Sequence, residues 1–488
     1  MPRSINWLPW CQDTFSKAAL DNKPILMYLT AHWCSWGAIM DDTTFQDAQV
    51  VNLVEDSFIP IKVNVDKYPH VADRYHFGGY PSVVILTSEG QILKGENYLS
   101  EELMKGTLED VLKKYNGWKI IFSAKKKKHN LGKIKPNSIA LKQGNFLPLS
   151  IFEVNEIIAN AYDQEFGGFI ISHQKIKFPL PEIHDYLLLY AENNPGSAEE
   201  MMVRHSLDAI WAGEVYDRER GGFFRLCEGK DWTLPHAEKL LDHNANLIRN
   251  YLTAYEKLGW GEYEVLIRDS ISFFISELFN EETQVFGGSK IGKKVDKTPF
   301  TNWNSIMSSS LLLAYRVLGD QEYLDLALKV IESLWSRCYR LGRGMSHYYL
   351  NGPAEVELFS DQIKYIEALY DAFSLTEDKV YLHRMDLLMR SLEKNYQLPE
   401  GNFSDIPLTE KNLGYLCIPL VPFVENIDMA RVYIKMSRLM GSNYAEKARH
   451  ILESLSPMIR ENPIFAAKYG QALIEMDNYW VKNRVYNN

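Results

Sequence analysis

Short glycine-containing turns recur through the C-terminal part of the sequence, and each one separates stretches with helical periodicity. The turns read FGGF at 166–169, RGGFF at 220–224, FGGS at 286–289, GRGM at 342–345 and GNF at 401–403. Successive turns are about 54 to 66 residues apart, which is the length of two helices with their loops. We therefore expect residues 147–488 to form about six helical hairpins.

Apolar positions within this region predict the individual helices. The clearest stretches are 198–212, 238–258, 263–279, 304–318, 323–335 and 361–373. Six such hairpins close into an α/α toroid, in which the loops surround a central cleft. An open solenoid of helix pairs has a similar pattern and stays open as the alternative.

Residues 1–118 have a different pattern, in which short apolar runs alternate with helical stretches. Strands are predicted at 25–30, 58–65, 82–86 and 92–94, and helices at 13–20, at 47–55 and from residue 100. Strands separated by helices indicate an α/β domain. Residues 119–146 include the basic run KKKKHNLGKIKP, which predicts a linker or an exposed arm.

The composition argues against several classes of protein. The 488 residues, 46% hydrophobic and 24% charged, predict a globular protein of two or three domains. A formal net charge of -10 argues against nucleic-acid binding, and no apolar run is long enough to cross a bilayer. The first residues lack the pattern of a signal peptide, and five scattered cysteines form no C-x-x-C pair. We therefore expect a cytoplasmic protein without metal, cofactor, membrane or nucleic-acid partner.

One cysteine lies in a context typical of thiol chemistry. Cys34 lies in the stretch YLTAHWCSWGAIM, after a predicted strand and at the start of a predicted helix. A helix N-terminus stabilises a thiolate through its dipole and its free amide groups. Cys34 is therefore a candidate catalytic residue, and its neighbours Trp33 and Trp36 are candidate ligand-binding residues.

Two resemblances extend this interpretation. The stretch WCSWG at 33–37 resembles the W-C-x-x-C motif of thioredoxins, and GYPS at 79–82 resembles the loop that carries their cis-proline. This resemblance implies that Pro81 is cis and binds ligand beside Cys34.

The second resemblance covers nearly the whole chain. It is carried by NWLPW at 6–10, NKPI at 22–25, MDDTTF at 40–45, KFPLP at 177–181 and WTLPHAEK at 232–239. These motifs are similar to those of bacterial and animal proteins, with a spermatogenesis-associated animal member, that join a thioredoxin-like domain to a helical toroid. The resemblance implies an α/β thioredoxin-like domain followed by an all-α (α/α)6 toroid of the six-hairpin glycosidase type.

The sequence departs from this family at the second cysteine of the motif, where it has Gly37. Without a resolving thiol three residues away, Cys34 has no local disulfide to form. Three interpretations remain open. Cys34 forms mixed disulfides with glutathione or a thiol partner, or it pairs with Cys11, or the domain has lost its chemistry and only binds.

The toroid resembles that of glycosidases and sugar 2-epimerases, which implies a cleft for a sugar-like small molecule. Glycoside hydrolysis needs two carboxylates on opposite sides of the sugar, whereas epimerisation needs an acid/base pair, often of histidines. The stretch LPHAEKLLDHNAN at 234–246 is the richest in such groups. If a helix starts at Pro235, His236 and His243 share one of its faces, and Glu238 lies on another. A capping or packed histidine is the alternative for both.

Further candidates lie at predicted helix starts. Asp361 is either a helix N-cap or a catalytic acid. The resemblance implies that Trp232, Trp303 and Asn304 lie near the cleft. The complete set of candidates is as follows: catalytic Cys34, His236, Glu238 and Asp361; ligand-binding Trp33, Trp36, Pro81, Trp232, His243, Trp303 and Asn304.

These observations predict a thioredoxin-like protein whose toroid has a carbohydrate-type ligand cleft. A monothiol redox protein acting through Cys34, and a non-enzymatic binding protein with both sites degraded, are the alternatives. Whether the chain is an enzyme stays open at this stage.

Overall fold

The computed structural model describes residues 4–126, 149–171, 176–409, 412–441 and 443–486. These residues form two compact units. One is drawn from Met1–Ser138 and Leu408–Leu420, and the other from Ile139–Pro407 and Val421–Asn488. Within the described ranges, no helix is both long and apolar enough to cross a membrane.

The first unit is built on a four-stranded sheet. Its strands are β1 (Ile25–Thr30), β2 (Ile59–Asn64), β3 (Ser82–Leu86) and β4 (Ile92–Glu96), in the order β2-β1-β3-β4. Strand β1 pairs in parallel with β2 and antiparallel with β3, which pairs antiparallel with β4. Every residue of β1 and β3 is buried, which explains their unbroken apolar runs.

Five helices precede, separate and follow these strands along the chain. They are α1 (Gln12–Leu20), α2 (Ser35–Asp42), α3 (Ala48–Ser57), α4 (Pro69–Tyr75) and α5 (Glu101–Lys126). The Asp47 side chain caps α3 by accepting hydrogen bonds from the amides of Gln49 and Val50. Helix α5 continues into the stretch predicted as a linker at 119–146, of which residues 127–146 lie outside the described residues.

A segment from far along the sequence completes the first unit. In residues 408–420, the ring of Tyr415 stacks on that of Tyr75, with centroids 5.3 Å apart. The Tyr415 amide donates to the Tyr75 hydroxyl at 2.9 Å. The buried guanidinium of Arg74 donates to the carbonyl oxygens of Tyr415 and Ile418, at 3.1 and 3.0 Å. The segment is therefore held by main-chain hydrogen bonds as well as by ring contact.

The second unit consists of two layers of helices. The inner layer contains α7 (Pro181–Asn193), α9 (Leu241–Leu258), α11 (Thr301–Leu318), α13 (Phe359–Thr376), α15 (Phe423–Met440) and α17 (Pro463–Tyr486). The outer layer contains α6 (Ile151–Ala161), α8 (Ala198–Ala212), α10 (Glu264–Leu278), α12 (Gln321–Cys338), α14 (Lys379–Asn395) and α16 (Asn443–Leu455). Each inner helix packs on the next, and α17 packs back on α7. The ring is closed, so this unit is an α/α toroid and not an open solenoid.

Short strands lie in the loops between these helices. They are β5 (Glu238–Leu240), β6 (Phe279–Asn280), β7 (Val285–Phe286), β8 (Ser289–Ile291), β9 (Lys294–Asp296), β10 (Tyr339–Arg340) and β11 (Gly344–Met345). Strand β5 pairs antiparallel with β8, and Leu240 has an extended backbone. The helix predicted from 238 therefore begins only at Leu241. The prediction that His236 and His243 share a helical face is wrong for this reason.

The same pair of hydrogen bonds joins glycine turns to inner helices in successive hairpins. The side-chain amide of Asn304 accepts from the Phe286 amide at 2.7 Å and donates to the Phe286 carbonyl at 3.0 Å. Asn304 is the fourth residue of α11, and the fourth residues of α9, α13 and α15 make the same two bonds. These pairs are Asn244 with Phe223, Gln362 with Met345, and Asn426 with Phe403. We call them amide clamps, because they satisfy main-chain groups that a buried turn would otherwise leave without partners.

Helix α7 departs from this pattern, since its fourth residue is His184. The imidazole is fully buried, and its ring centroid lies 5.9 Å from that of Phe169 in the first glycine turn. Burial lowers the pKa of His184 to about 4, so the ring is neutral near pH 7.

Candidate functional site

Cys34 is the N-cap residue of α2, and its sulfur accepts a hydrogen bond from the Gly37 amide at 3.3 Å. The residue is only 5% exposed. The Tyr80–Pro81 peptide bond is cis. Cys11 and Cys34 form no disulfide with each other.

Position 37 has no space for the side chain that a second cysteine would need. A Cβ atom built on Gly37 would lie 2.2 Å from Thr30 Oγ1 and 3.3 Å from Cys34 Sγ. The Tyr28 hydroxyl, which would be 3.2 Å from that Cβ atom, donates to the Gly37 carbonyl at 2.8 Å. The hydroxyls of Thr30 and Tyr28 therefore crowd the place of a resolving cysteine.

The two tryptophans beside Cys34 have different environments. The indole nitrogen of buried Trp33 donates to both carboxylate oxygens of Asp66, at 2.9 and 3.1 Å. Trp36 is 53% exposed, and its ring meets that of Tyr98 with centroids 5.1 Å apart. Trp33 is thus held in place by Asp66, whereas Trp36 offers an open aromatic surface.

In the toroid, His236 lies in a partly exposed ionic group. Its Nε2 atom is 3.1 Å from Glu228 Oε1, and its Nδ1 atom is 3.4 Å from Glu238 Oε1. The guanidinium of Arg225 binds the same Glu238 oxygen at 2.9 Å. Glu238 is nearly fully buried, whereas His236 is partly exposed and Glu228 is largely exposed.

His243, in the first turn of α9, is partly buried. Burial lowers the pKa of His243 to about 4, and the positive charge of Arg225 lowers it further in the same direction. The imidazole is therefore neutral near pH 7. Its Nδ1 atom is enclosed and has no hydrogen-bond partner among the described residues.

Asp361 is fully buried and is held by surrounding donors. Its carboxylate lies 2.9 Å from His347 Nδ1 and accepts hydrogen bonds from the amides of Asn302 and Leu358, both at 3.2 Å. Asp361 is the third residue of α13, so it caps the helix from within and is not the N-cap. The Asp361 carboxylate is therefore engaged by three groups of the protein, and its catalytic role stays a prediction.

Three predicted ligand-binding residues also serve the packing of the toroid. Trp232 is 1% exposed, and its indole nitrogen donates to the Phe166 carbonyl at 2.9 Å. Asn304 is fully buried in its amide clamp. Trp303 is partly buried, and its ring packs 4.7 Å from that of Phe300. Of the three, only Trp303 retains a partly accessible surface.

The inner helices α13, α15 and α17 meet at a group of buried charges that the sequence did not single out. The carboxylate of Asp428 on α15 binds Lys364 Nζ of α13 at 2.7 Å and Lys468 Nζ of α17 at 2.8 Å. We call these three residues the lysine–aspartate cluster. Burial opposes ionisation of Asp428, but the two lysines outweigh it and hold the pKa of the carboxyl far below its usual range.

Further ion pairs extend this cluster along the same helices. Glu367 binds Lys364 at 2.8 Å and lies 3.8 Å from Lys435. Arg431 makes a two-pronged contact with the carboxylate of Glu475, at 3.0 and 2.7 Å. The arginine also lies 3.7 Å from Asp428, so all of these charges form one network.

Two further carboxyls flank the cluster without joining it. Glu182, in the first turn of α7, and Glu425, in the first turn of α15, are both partly buried. Neither forms an ion pair with a described residue. Burial raises the pKa of Glu182, and the nearby charge of Lys468 offsets this only in part. Burial likewise raises the pKa of Glu425, although Lys364 and Lys468 act in the opposite direction.

These charged residues had a signal in the sequence. The helical stretches IKYIEAL at 363–369 and FVENIDMARVY at 423–433 carry charges on helices that are otherwise apolar on all sides. An inner helix surrounded by other helices is expected to be apolar all round, so such charges indicate an interior polar site. In the described residues, no group of three or more His, Cys, Asp and Glu side chains is arranged to hold a metal ion.

Comparison with known proteins bears on both units. Residues 1–129 match the family model Thioredox_DsbH, described as a protein of unknown function, DUF255. The N-terminal region is thioredoxin-like. The chain is 27% identical to human Spermatogenesis-associated protein 20 over 322 residues, which cover 60% of this chain and 39% of that protein. The chain thus spans about two fifths of the length of the curated relatives it matches.

The toroid is similar to sugar-processing enzymes. A stretch of 134 residues is 25% identical to Cellobiose 2-epimerase of Bacteroides fragilis and covers 26% of this chain and 33% of that protein. The solved cellobiose 2-epimerase of Bacillus thermoamylovorans has a TM-score of 0.58 and 12% identity, over 67% of this chain and 98% of that one. A GH76 α-mannanase of Bacteroides thetaiotaomicron has a TM-score of 0.53 and 13% identity, over 69% of this chain and 96% of that one. At such identities the two solved structures establish the fold alone.

Proposed function

We propose that the α/α toroid binds a sugar-like small molecule in its central cleft, beside the first turns of the inner helices. The observation that carries this proposal is the lysine–aspartate cluster flanked by Glu182 and Glu425. Buried charges are rare in a helical core unless they are paired or serve a function. The likeness to sugar epimerases and to an α-mannanase supports the same class of ligand.

The site has groups suited to acid/base chemistry on hydroxyls. A carboxyl whose pKa is raised by burial keeps its proton closer to neutral pH and can act as a general acid. A neutral imidazole such as that of His243 can accept a proton. We propose Glu182 and Glu425 as acids and His243 as a base, with His236 and Glu238 as a second pair at the loop before α9.

Ligand-observed NMR with a panel of mono- and disaccharides tests this proposal on the full chain. We expect at least one sugar to bind, and we expect Lys468→Gln to weaken its binding by tenfold or more, since that variant removes one ammonium donor from the cluster. Lys257→Gln on the exposed end of α9 is the matched control. If no sugar binds, or if both variants bind equally well, the proposal is wrong.

A second candidate function is monothiol chemistry at Cys34. It is favoured by the hydrogen bond from the Gly37 amide to the sulfur, because a donor at a helix N-terminus stabilises a thiolate. The Cys34 thiolate would then attack the disulfide of oxidised glutathione or of a partner, form a mixed disulfide with one of its two sulfurs and release the other as a thiol. Mass spectrometry after exposure to oxidised glutathione tests this, with Cys34→Ser as the control, and a protein without a glutathione adduct at Cys34 would exclude it.

We also propose a cytoplasmic location. It is supported by the five cysteines, none of which forms a disulfide, because a reducing compartment keeps thiols from forming disulfides. Fluorescence microscopy of the tagged full-length protein checks this, and export to an oxidising compartment would contradict it.

A further inference from the structure

We infer that Lys468 and Gln471, which lie one turn apart on α17, bind the same hydroxyl group of the ligand in the toroid. The ammonium of Lys468 donates a hydrogen bond to the hydroxyl oxygen, and the side-chain amide oxygen of Gln471 accepts one from the hydroxyl hydrogen. This inference rests on the proposed function. It assigns Gln471 as a ligand-binding residue and specifies the chemical group that it recognises.

The first observation is the enclosed side-chain amide of Gln471. The residue is 7% exposed, and its Oε1 atom accepts no hydrogen bond within the part of the chain that the structure describes. An enclosed amide oxygen without a donor is costly, and native proteins nearly always satisfy such an atom with protein, water or ligand. The Gln471 amide is therefore suited to a donor other than the side chains around it.

The second observation is the unused donor capacity of Lys468. An ammonium group carries three N–H donors. The ammonium of Lys468, which is also nearly buried, donates to one carboxylate oxygen of Asp428 at 2.8 Å. Among the described residues it makes no other hydrogen bond. Two of its N–H donors are therefore available to a ligand.

The helix brings these two side chains together. Residues three or four apart lie on one face of an α-helix, with Cβ atoms about 5–6 Å apart. Lys468, Gln471 and Glu475 follow this spacing on α17. Lys468 binds Asp428 of α15, and Glu475 binds Arg431 of the same helix. The face of α17 that carries Gln471 is therefore turned towards α15 and the lysine–aspartate cluster.

A hydroxyl is the ligand group that matches this pair. It donates one hydrogen bond and accepts others, so it can satisfy Lys468 and Gln471 at the same time. An ionised carboxylate only accepts and would leave the Gln471 oxygen without a donor. An ammonium group only donates, and it is repelled by the charge of Lys468. This match does not depend on the net charge of the cluster, and it agrees with a sugar as the ligand.

Fluorinated sugars test the inference, because fluorine in place of a hydroxyl removes the donated hydrogen bond. D-Glucose, D-mannose and cellobiose are titrated into the full chain by calorimetry, and the tightest binder is compared with its monodeoxyfluoro analogues. We expect fluorine at one position to weaken binding by about tenfold, which corresponds to one lost hydrogen bond. Gln471→Met should weaken the parent sugar by a similar factor. In that variant, fluorine at the same position should cause no further loss, because the acceptor is already absent.

Two controls keep the result interpretable. Asn478→Met makes the same kind of change at an exposed position of α17 and should leave affinity unchanged. The thermal midpoint of each variant is measured alongside, and Gln471→Asn, whose amide is one methylene shorter, replaces Gln471→Met if that variant is unfolded.

The possible outcomes separate this inference from the proposed function. If no fluorine substitution weakens binding, or if the loss is the same in Gln471→Met as in the unsubstituted protein, the inference is wrong and the proposed function stands. If none of the three sugars binds, both are wrong.

Discussion

The Thr30 hydroxyl occupies the place that a Cβ atom at position 37 would take, so any side chain at this position requires the Thr30 side chain to move. Thr30 is itself buried at the end of β1. We therefore expect a cysteine at position 37 to need a second change at Thr30.

We predict that Gly37→Cys alone lowers the thermal midpoint and leaves Cys34 mostly reduced, because the new Cβ atom collides with Thr30 Oγ1. The double variant Thr30→Ala, Gly37→Cys should form a disulfide with Cys34 in a glutathione redox buffer. Alkylation followed by mass spectrometry counts the free thiols. Ala38→Cys, on the exposed side of α2, is the control that adds a thiol elsewhere. Equal disulfide formation in the single and double variants would refute the steric argument.

The amide clamps should carry measurable stability. Asn304→Leu removes both hydrogen bonds to Phe286 and leaves a buried amide and a buried carbonyl without partners. We expect the free energy of unfolding to fall by about 2–6 kcal/mol, given about 1–3 kcal/mol for each of the two orphaned groups. Urea unfolding followed by circular dichroism measures it. Asn193→Leu, which is exposed, should change it little, and an equal loss in both variants would contradict the clamp.

The buried imidazole of His184 predicts a loss of stability in acid. Its pKa is lowered in the folded state to about 4, so the unfolded state binds the proton more readily. The neutral imidazole therefore makes its full contribution to the free energy of unfolding above the unfolded-state pKa of about 6.5. This contribution is lost as the pH falls towards 4. His184→Asn should therefore lose less stability in acid. We expect the difference in the free energy of unfolding between the variant and the unsubstituted protein to change by up to about 3 kcal/mol between about pH 7 and pH 4.5. Unfolding curves at pH 7 and pH 4.5 test it, with His32→Asn as the exposed control.

Within the charged network, substitution of Asp428 should lower the free energy of unfolding most. Asp428→Asn keeps the shape of the side chain but leaves the nearly buried ammonium of Lys468 without its carboxylate. We expect a loss of about 3–5 kcal/mol in the free energy of unfolding, which is typical of breaking a buried pair. Asp386→Asn breaks a surface pair with Arg390 and should change stability by less than about 1 kcal/mol. Similar values for both variants would show that the cluster is not a buried network.

Glu182 should behave in the opposite way to an ordinary stabilising carboxylate. Burial raises the pKa of Glu182 in the folded state. Its contribution to the free energy of unfolding is therefore full below the pKa of the unfolded state and declines as the pH rises through the pKa of the folded state. Glu182→Gln mimics the protonated form and should therefore gain stability over the unsubstituted protein as the pH rises from 4 to 8. Thermal unfolding at both pH values measures the difference. Glu192→Gln, on the exposed end of the same helix, is the control. A constant difference between Glu182→Gln and the unsubstituted protein across this range would mean that folding leaves the pKa of Glu182 unchanged.

The order and type of the elements follow from the sequence, whereas the roles of several side chains do not. Periodicity places β1, β3 and α8 at the predicted residues, because burial on a strand or a helix face repeats locally. The start of α9 was predicted wrongly because residues 238–240 pair with a strand about fifty residues later. Such pairing overrides local helical preference and has no local signal.

Asn304 illustrates the same limit at the candidate site. A Trp-Asn pair at a helix start was interpreted as ligand-binding, but the partner of Asn304 is the main chain of a glycine turn in the preceding hairpin. Asp361 was placed correctly at a helix start, yet only the fold brings His347 to it and closes it from solvent. Charges such as Lys364 and Asp428 come from different helices, so their pairing is likewise a property of the closed ring.

The return of residues 408–420 to the first unit has a consequence for synthesis of the chain. Arg74 and Tyr75 leave the ribosome early, but their partners Tyr415 and Ile418 are made some 290 residues after α5, a delay of roughly 15–60 s at usual elongation rates. During that interval the nascent first unit lacks the segment that contacts Arg74 and Tyr75. A chaperone that binds nascent chains would therefore encounter the first unit without residues 408–420 while most of the toroid is still being translated.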